Sequence, residues 1–341
     1  MGGGDPGGQW RGSMRRAPFI LKRHQGDMNP RVSVIIPYYN TAEVVTQTLD
    51  SVLAQTFTDY EIILVNDDSP DTARLEVVLG PYRDKITYIH TENRGVAAAR
   101  NTAIRKARGE LLAFLDSDDL WTPDYLTYQV GQLDADPSAD VVFPNAVFFG
   151  EGESGRKLAM KAGSPMPEIT FTRLVTEECS VVVSVLVRKR AVERVGLFDE
   201  QLRRCEDFDL WLRCLKAGSR IIYHHTVLMR YRRRPGSLSS DPARMAAHAA
   251  QVLRKMQHVV PLTEAENEII KAKLRDFDGR HLFFEGKQAF FAGDYGAALE
   301  NFQAADRHLN NMRVKLLILV VRTAPSFARR LHAWRYPEVS R

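Results

Sequence analysis

The 341-residue chain is short of cysteine, of long apolar runs and of the common phosphate-binding loop, and each shortage excludes something. Three cysteines occur, Cys179, Cys205 and Cys214. Their odd number argues against a disulfide framework, their spacing matches no metal site, and a reducing cytoplasm fits them. The longest apolar run near the C-terminus, Leu316 to Val321, falls far short of the roughly 20 residues a membrane-spanning helix needs. Residues 1–31 hold glycine and arginine in place of the apolar core of a secretory signal. No GxxxxGKS segment is present, which argues against an NTPase.

Acidic residues are scarce at both ends. Residues 1–31 carry six Arg and Lys against two Asp, net +4, and residues 311–341 carry seven against one Glu, net +6. The whole chain is +5, so the body from 32 to 310 is acidic at −5. An acidic body argues against a groove that tracks phosphates, and no nucleic-acid partner is expected. The basic ends fit an anionic membrane surface or a solvated tail.

What the chain does contain is a regular alternation. Val32–Ile36 and Glu61–Val65 are apolar strands, the first stopped by Pro37, and a helix with Val44, Val45, Leu49, Val52 and Leu53 lies between them. A helix around 72–80 and a strand at 85–90 follow, then an Ala-rich helix opened by Glu92-Asn93-Arg94-Gly95 and running to about Arg108. Strands alternating with helices at this pitch predict a doubly wound α/β sheet. Further strands are expected at 140–149, 181–187 and 220–223.

The fourth strand of this series, Leu111 to Leu115, ends in Asp116-Ser117-Asp118-Asp119. Three carboxylates within four residues repel one another and require solvent or a cation. Oxygen donors alone point to a hard divalent ion, Mg²⁺ or Mn²⁺, with positions open to phosphate oxygens. Capping of the helix at Pro123 accounts for Asp119 but not for all three. Polar clusters also end the first two strands, as PYYN and NDDSPD. In a parallel sheet such ends share one edge, so the clusters should converge on one cleft.

The motifs PYYN, NDDSPD, ENRGVAAARN, LDSDD and CEDFDLWLR occur in one order over residues 32–235. In this the chain resembles the family 2 glycosyltransferases of the GT-A fold. The resemblance implies a Rossmann-like, mostly parallel sheet flanked by helices, occupying residues 31–240. It also implies metal-dependent transfer of a sugar, with inversion, from a nucleoside-diphosphate donor to an acceptor hydroxyl. Matched by position, Pro37 and Tyr39 line the nucleoside pocket and Asp67 accepts from a uracil NH. This chain has Asn66 and Asp68 where the family often has Asp and Gly. Asn93, Gly95 and Arg100 fall on the donor side, although a surface ion pair accounts for Arg100 equally well. Asp116 and Ser117 match ribose-side and positioning residues, and Asp118 the metal ligand.

On the acceptor side, Glu206 and Asp207 head a helix whose apolar face is Leu210, Trp211, Cys214 and Leu215. Helix capping explains such carboxylates by itself. The resemblance makes Asp207 the general base, with Glu206 beside it and Trp211 beneath. The segment 150–168, rich in Gly, Pro and Ser, is a loop over the acceptor side. The run Tyr231-Arg232-Arg233-Arg234-Pro235-Gly236-Ser237 resembles the family's donor-closing loop, with Arg234 or a neighbouring arginine on the diphosphate. His224 and His225 read as structural more readily than as metal ligands.

Residues 241–311 are helical, and Gly286 to Tyr295 with Ala298, Leu299, Phe302 and Ala305 resembles one tetratricopeptide helix pair. In the basic tail, 312–341, Phe327, Leu331 and Trp334 fall on one helical face, which suits either an anionic membrane surface or packing on the protein. Residues 1–30 are expected to be disordered. The expectation is a cytoplasmic enzyme, peripheral at the inner membrane face, using a UDP-sugar and a glycan or lipid-linked acceptor in polysaccharide or glycolipid synthesis. Two rivals are a nucleotidyltransferase and a binding or scaffold protein. The first needs a basic Gly-rich signature near the first strand and no acceptor-side Asp; the second does not need Asp118 and Asp207 together.

Overall fold

A computed structural model describes residues 29–151, 157–159, 168–181, 184–234, 236–237 and 240–324. The expected N-terminal tail up to residue 28, most of the loop at 150–168 and the face of Phe327, Leu331 and Trp334 lie outside the described residues.

Eight strands form one sheet: β1 (Val32–Tyr38), β2 (Tyr60–Asp67), β3 (Thr87–Thr91), β4 (Leu111–Phe114), β5 (Leu120–Trp121), β6 (Ala139–Gly150), β7 (Leu186–Arg188) and β8 (Arg220–Arg233). Their order is β3-β2-β1-β4-β7-β6-β8-β5. The first half, β3-β2-β1-β4, is parallel throughout, as the alternation with helices predicts. Beyond β4 the sheet is mixed. β7 runs antiparallel to both β4 and β6, β5 antiparallel to β8, and only β6 and β8 pair in parallel.

Strands β1, β2 and β4 are buried on both faces and divide their side chains by parity, while β3 at the edge is partly exposed. Val32, Val34, Ile36 and Tyr38 pack with Leu64, Ala113 and Leu115 under α1 (Val45–Leu53), α2 (Thr72–Val78) and α4 (Tyr125–Ala135). Ile35, Ile63, Val65 and Phe114 face the opposite layer, made by α3 (Val96–Lys106), α5 (Phe171–Val175), α6 (Lys189–Arg194) and α7 (Glu206–Lys216).

Two strand expectations need correction. Within the run at 181–187, of which 182 and 183 lie outside the described residues, the strand is the three-residue β7 at its end, with the Val185 carbonyl also accepting the Phe114 N–H at 3.1 Å. The strand expected at 220–223 continues through the histidines to Arg233. His224 sits inside this strand, with Nε2 2.7 Å from the Gln129 side chain, and burial lowers its pKa to about 4. Opposite it, the β6 register shifts at Pro144, which has no N–H to give to a ladder.

The remaining helices are α8 (Pro242–Val259), α9 (Glu264–Ala292), α10 (Tyr295–Leu309) and α11 (Met312–Thr323). A Cβ on Gly286 would meet the Phe302 ring at 2.8 Å, and one on Gly279 would meet Leu309 at 2.6 Å. Seven residues back on α9 thus match seven forward on α10, so the two helices are antiparallel, and glycine allows their close approach. Gly293, at φ 90°, turns the chain between them. This is the helix pair legible in the sequence.

Candidate active site

The C-terminal ends of β1, β2 and β4 lie side by side, and hydrogen bonds join their polar clusters directly. Tyr38 Oη donates to Asp71 Oδ2 at 2.8 Å, the Ala42 N–H to the same oxygen at 2.9 Å, and Ser69 Oγ to Asp71 Oδ1 at 2.5 Å. Burial opposes ionisation of Asp71, but these three donors hold its carboxyl below the usual range. Thr41 and Ser117 share a buried hydroxyl contact of 2.8 Å, which ties the PYYN loop to the DSDD loop. Asn40 (φ 53°) and Asp68 (φ 48°) adopt left-handed backbone, a conformation Asn and Asp tolerate better than most residues. Asp68 thereby makes the turn for which the family often uses glycine.

Asp67 reaches the start of α3. It accepts the Arg94 N–H on Oδ1 at 2.9 Å and the Gly95 N–H on Oδ2 at 2.7 Å. Gly95 has φ 94°, and a Cβ there would lie 2.9 Å from Nη1 of Arg203, whose guanidinium covers this corner. Pro37 is buried in β1, while Tyr39 and Asn93 are exposed beside it and beside Gly95 respectively.

Arg100 is no surface ion pair. It is 2% exposed, donating from Nη2 to Asp116 Oδ1 at 2.7 Å and from Nη1 to Glu206 Oε1 at 2.5 Å. With both ends of its fork engaged, it braces carboxylates from opposite halves of the cleft instead of reaching out to donor oxygens. Cys205, at the N-cap position of α7, has φ 58°, a strained conformation for a non-glycine residue, and Glu206 and Asp207 follow it at the head of the helix. Burial, with the Glu206 charge beside it, raises the Asp207 pKa to about 7 against the pull of Arg100. Asp209 is fully buried and locked by Arg213 at 2.6 Å and Lys255 at 2.5 Å, while Trp211 lies in the core below.

The arginine run divides by strand parity. Arg234 Nε lies 2.5 Å from Asp118 Oδ2, and Arg232 braces the same loop through Nε to the Asp118 carbonyl at 2.6 Å. The Arg232 N–H donates to Asp119 Oδ1 at 2.8 Å, so Asp119 anchors β8 and does not cap α4, whose N-cap is Asp124. Arg233 points the other way, over the rings of Phe148 and Tyr231. Burial and neighbouring carboxylate charge push the Asp118 and Asp119 carboxyls upward, opposed by Arg234 and Arg232 respectively.

Among the described residues, no group of three or more His, Cys, Asp and Glu side chains is arranged to hold a metal. Mg²⁺ and Mn²⁺ are commonly held by one or two carboxylates plus substrate phosphates and water. Asp118 fits that role: it is mostly buried beside the Asp116 charge and already takes a cationic group on one oxygen.

Direct contacts thus join Arg100 to Asp116 and Glu206, Asp118 to Arg234, Asp67 to Gly95 and Ser117 to Thr41, while Pro37, Tyr39 and Asn93 are placed by the strand and loop that carry them. The structure adds Thr41, Asp71 and Arg203, which sequence reasoning gave no role, and shows Arg232, one of the arginines left open, bracing the Asp118 loop. Asp71 had a signal, as the last residue of NDDSPD; Arg203 had none, because only the turn at 197–205 carries it to Gly95.

The profile of Glycosyl transferase family 2 matches residues 33–196. An uncharacterized glycosyltransferase of Rickettsia typhi is 31% identical over 218 residues, covering 61% of this chain and 65% of that protein. A Rickettsia felis relative, also 31% identical, is covered over 34% of its length, so the chain spans between about a third and two thirds of these two proteins. The Escherichia coli UDP-Glc:alpha-D-GlcNAc-diphosphoundecaprenol beta-1,3-glucosyltransferase WfgD is 30% identical over 217 residues, covering 62% of this chain and 80% of WfgD. Among solved structures, residues 1–349 of S. aureus TarS in complex with UDP-GlcNAc align with a TM-score of 0.59 at 21% identity, over 90% of this chain and 92% of that one. The mannosyltransferase PcManGT of Pyrobaculum calidifontis, with GDP-Man and Mn²⁺, aligns at 0.56 and 20%, over 90% and 85%. At those identities the structures speak for the fold alone. Identity to WfgD across most of its length, with the same fold and the motif ends gathered in one cleft, makes this chain a member of the family 2 glycosyltransferases.

Proposed function

We propose that the chain transfers a sugar from a UDP-sugar to an acceptor hydroxyl with inversion. The observation that carries this reading is the Arg100 bridge, which holds the donor-side Asp116 and the acceptor-side Glu206–Asp207 pair across one cleft. In this reading Pro37, Tyr39, Asp67, Asn93 and Gly95 surround the nucleoside, and Asp67 keeps lone pairs for a base NH. Asp116 and Ser117 lie on the ribose side.

Asp207 is the general base. A sugar hydroxyl has a pKa far above 7, so attack requires a group that takes its proton as the new bond forms. A carboxylate whose pKa is about 7 is a stronger base than an ordinary one and is still about half ionised at neutrality. Attack from the Asp207 side, with the diphosphate leaving toward Asp118, places nucleophile and leaving group on opposite faces of the sugar, which gives inversion. Asp118 would hold Mg²⁺ or Mn²⁺, which when bound would neutralise charge on the departing diphosphate. In the same reading Arg234, which lies beside Asp118, takes a diphosphate oxygen.

WfgD acts on a diphosphoundecaprenol-linked sugar. A lipid-linked acceptor in polysaccharide synthesis, met at the cytoplasmic membrane face, is the acceptor class we favour here. The test is release of UDP from a panel of UDP-sugars, with and without Mn²⁺ and with lipid-linked acceptors. Acceptor-stimulated release from one sugar supports the reading; nucleotide binding without turnover on any of them counts against it.

A further inference from the structure

Helix α11 packs on the protein through one side only. Val314 and Val321 are buried against Ala298, Phe302 and Ala305 of α10. The opposite side shows Met312, Leu316 and Leu319, 76%, 61% and 56% exposed. At 100° per residue these three fall on one stripe. Arg313 flanks it on one side and Lys315 and Arg322 on the other, all exposed, and α11 has no acidic residue.

We propose that this outward face of α11 is a docking surface for an anionic phospholipid bilayer. A ridge of large apolar side chains bordered on both sides by cations is what an interfacial helix presents: the stripe enters the acyl boundary while Lys and Arg stay at the headgroups. No described helix is long and apolar enough to cross a membrane, so any such contact lies in the interface plane.

Like charge argues against other occupants. A second copy of the chain would bring Arg313, Lys315 and Arg322 against their own kind. The segment 325–341 carries four Arg against one Glu and would repel the same cations, whereas it adds to the attraction of an anionic surface. The inference stands on this surface and not on the reaction assigned above.

The test is sedimentation of the full chain with vesicles of phosphatidylcholine, or of phosphatidylcholine mixed with an equal amount of phosphatidylglycerol. Wild type should sediment with the mixed vesicles only and be released by high salt. The double variant Leu316→Glu/Leu319→Glu should bind about tenfold more weakly or worse, with an unchanged melting temperature because both side chains face solvent. Lys315→Gln/Arg322→Gln, which leaves the stripe intact, should also weaken binding to the mixed vesicles. Wild type remaining in the supernatant would overturn the proposal, as would a double variant that sediments like wild type. Loss of self-association or of a protein partner in the double variant, without vesicle binding by wild type, would assign the face to protein contact and equally overturn it. UDP affinity measured on the same preparations keeps the two readings separate, since vesicle binding is expected whether or not UDP binds.

Discussion

Arg100 and Glu206 lie 106 residues apart in the chain and meet in a buried ion pair of 2.5 Å. The other arm of the same guanidinium holds Asp116 at 2.7 Å. One residue on α3 therefore fixes the distance between the loop after β4 and the helix that carries Asp207. Removing it would leave the buried Glu206 carboxylate without its cation and facing the partly exposed Asp116.

Arg100→Met should for that reason destabilise the fold by about 3–5 kcal/mol, the usual cost of breaking a buried pair. Arg100→Lys keeps the charge and loses one of the two bonds, so it should cost less. Urea unfolding of the three proteins measures both. A Met variant within 1 kcal/mol of wild type would show that the bridge is not a structural element.

Asp207→Asn should lower the rate of transfer about 10²–10⁴-fold with UDP affinity little changed. In the wild type the rate should rise with pH and level off above about 7, as the carboxyl ionises. The same shift acts on stability. A carboxyl raised in the folded state binds a proton there that the unfolded chain has released, so stability falls as pH rises from near 4 to about 7. The Asn variant escapes this loss and should melt above wild type at pH 8 but not at pH 4. Initial rates and thermal melts across that range check both; a transfer rate independent of pH would remove Asp207 from the base role.

Asp118→Ala should abolish the dependence of UDP binding on Mn²⁺ without unfolding the protein. Titration calorimetry of UDP with and without the ion decides this, and undiminished enhancement by Mn²⁺ would show that another group holds it. Arg234→Gln should leave that enhancement in place and weaken UDP itself, since Arg234 is assigned to the diphosphate.

Asp67→Ala carries two consequences. It removes the acceptor of the Arg94 and Gly95 N–H groups, at about 1–3 kcal/mol for an unsatisfied donor. It should also weaken UDP more than GDP, because a carboxylate facing a base NH reads the base. Comparing UDP, GDP and dTDP affinities separates the two; equal losses would leave Asp67 only its structural role.

Gly286→Val sets a branched side chain where a Cβ already meets Phe302 at 2.8 Å. Overpacking of this kind costs about 1–3 kcal/mol, and it lies outside the cleft, so stability should drop while UDP affinity holds. A variant as stable as wild type would mean that α9 and α10 separate without cost.

Much of this protein is decided locally and was legible in the sequence. Short continuous apolar runs place β1, β2 and β4, because a strand covered on both faces needs apolar residues on each, and the period-3.6 pattern places α1 because helical side chains recur each turn. Polar clusters after apolar strands predict one cleft because parallel strands end on one edge, and hydrogen bonds such as Tyr38–Asp71 and Thr41–Ser117 join those clusters. Gly286 and Phe302 signal close helix packing because only size is at stake. What depends on distant partners was decided by the tertiary structure alone. Strand direction in β7 is invisible to periodicity, which is the same for either sense. Arg100 becomes a buried brace, Asp119 an anchor for β8 and Arg234 a partner of Asp118 only because the fold carries those charges together, since a charge's role is set by what surrounds it and not by its own neighbours in the chain.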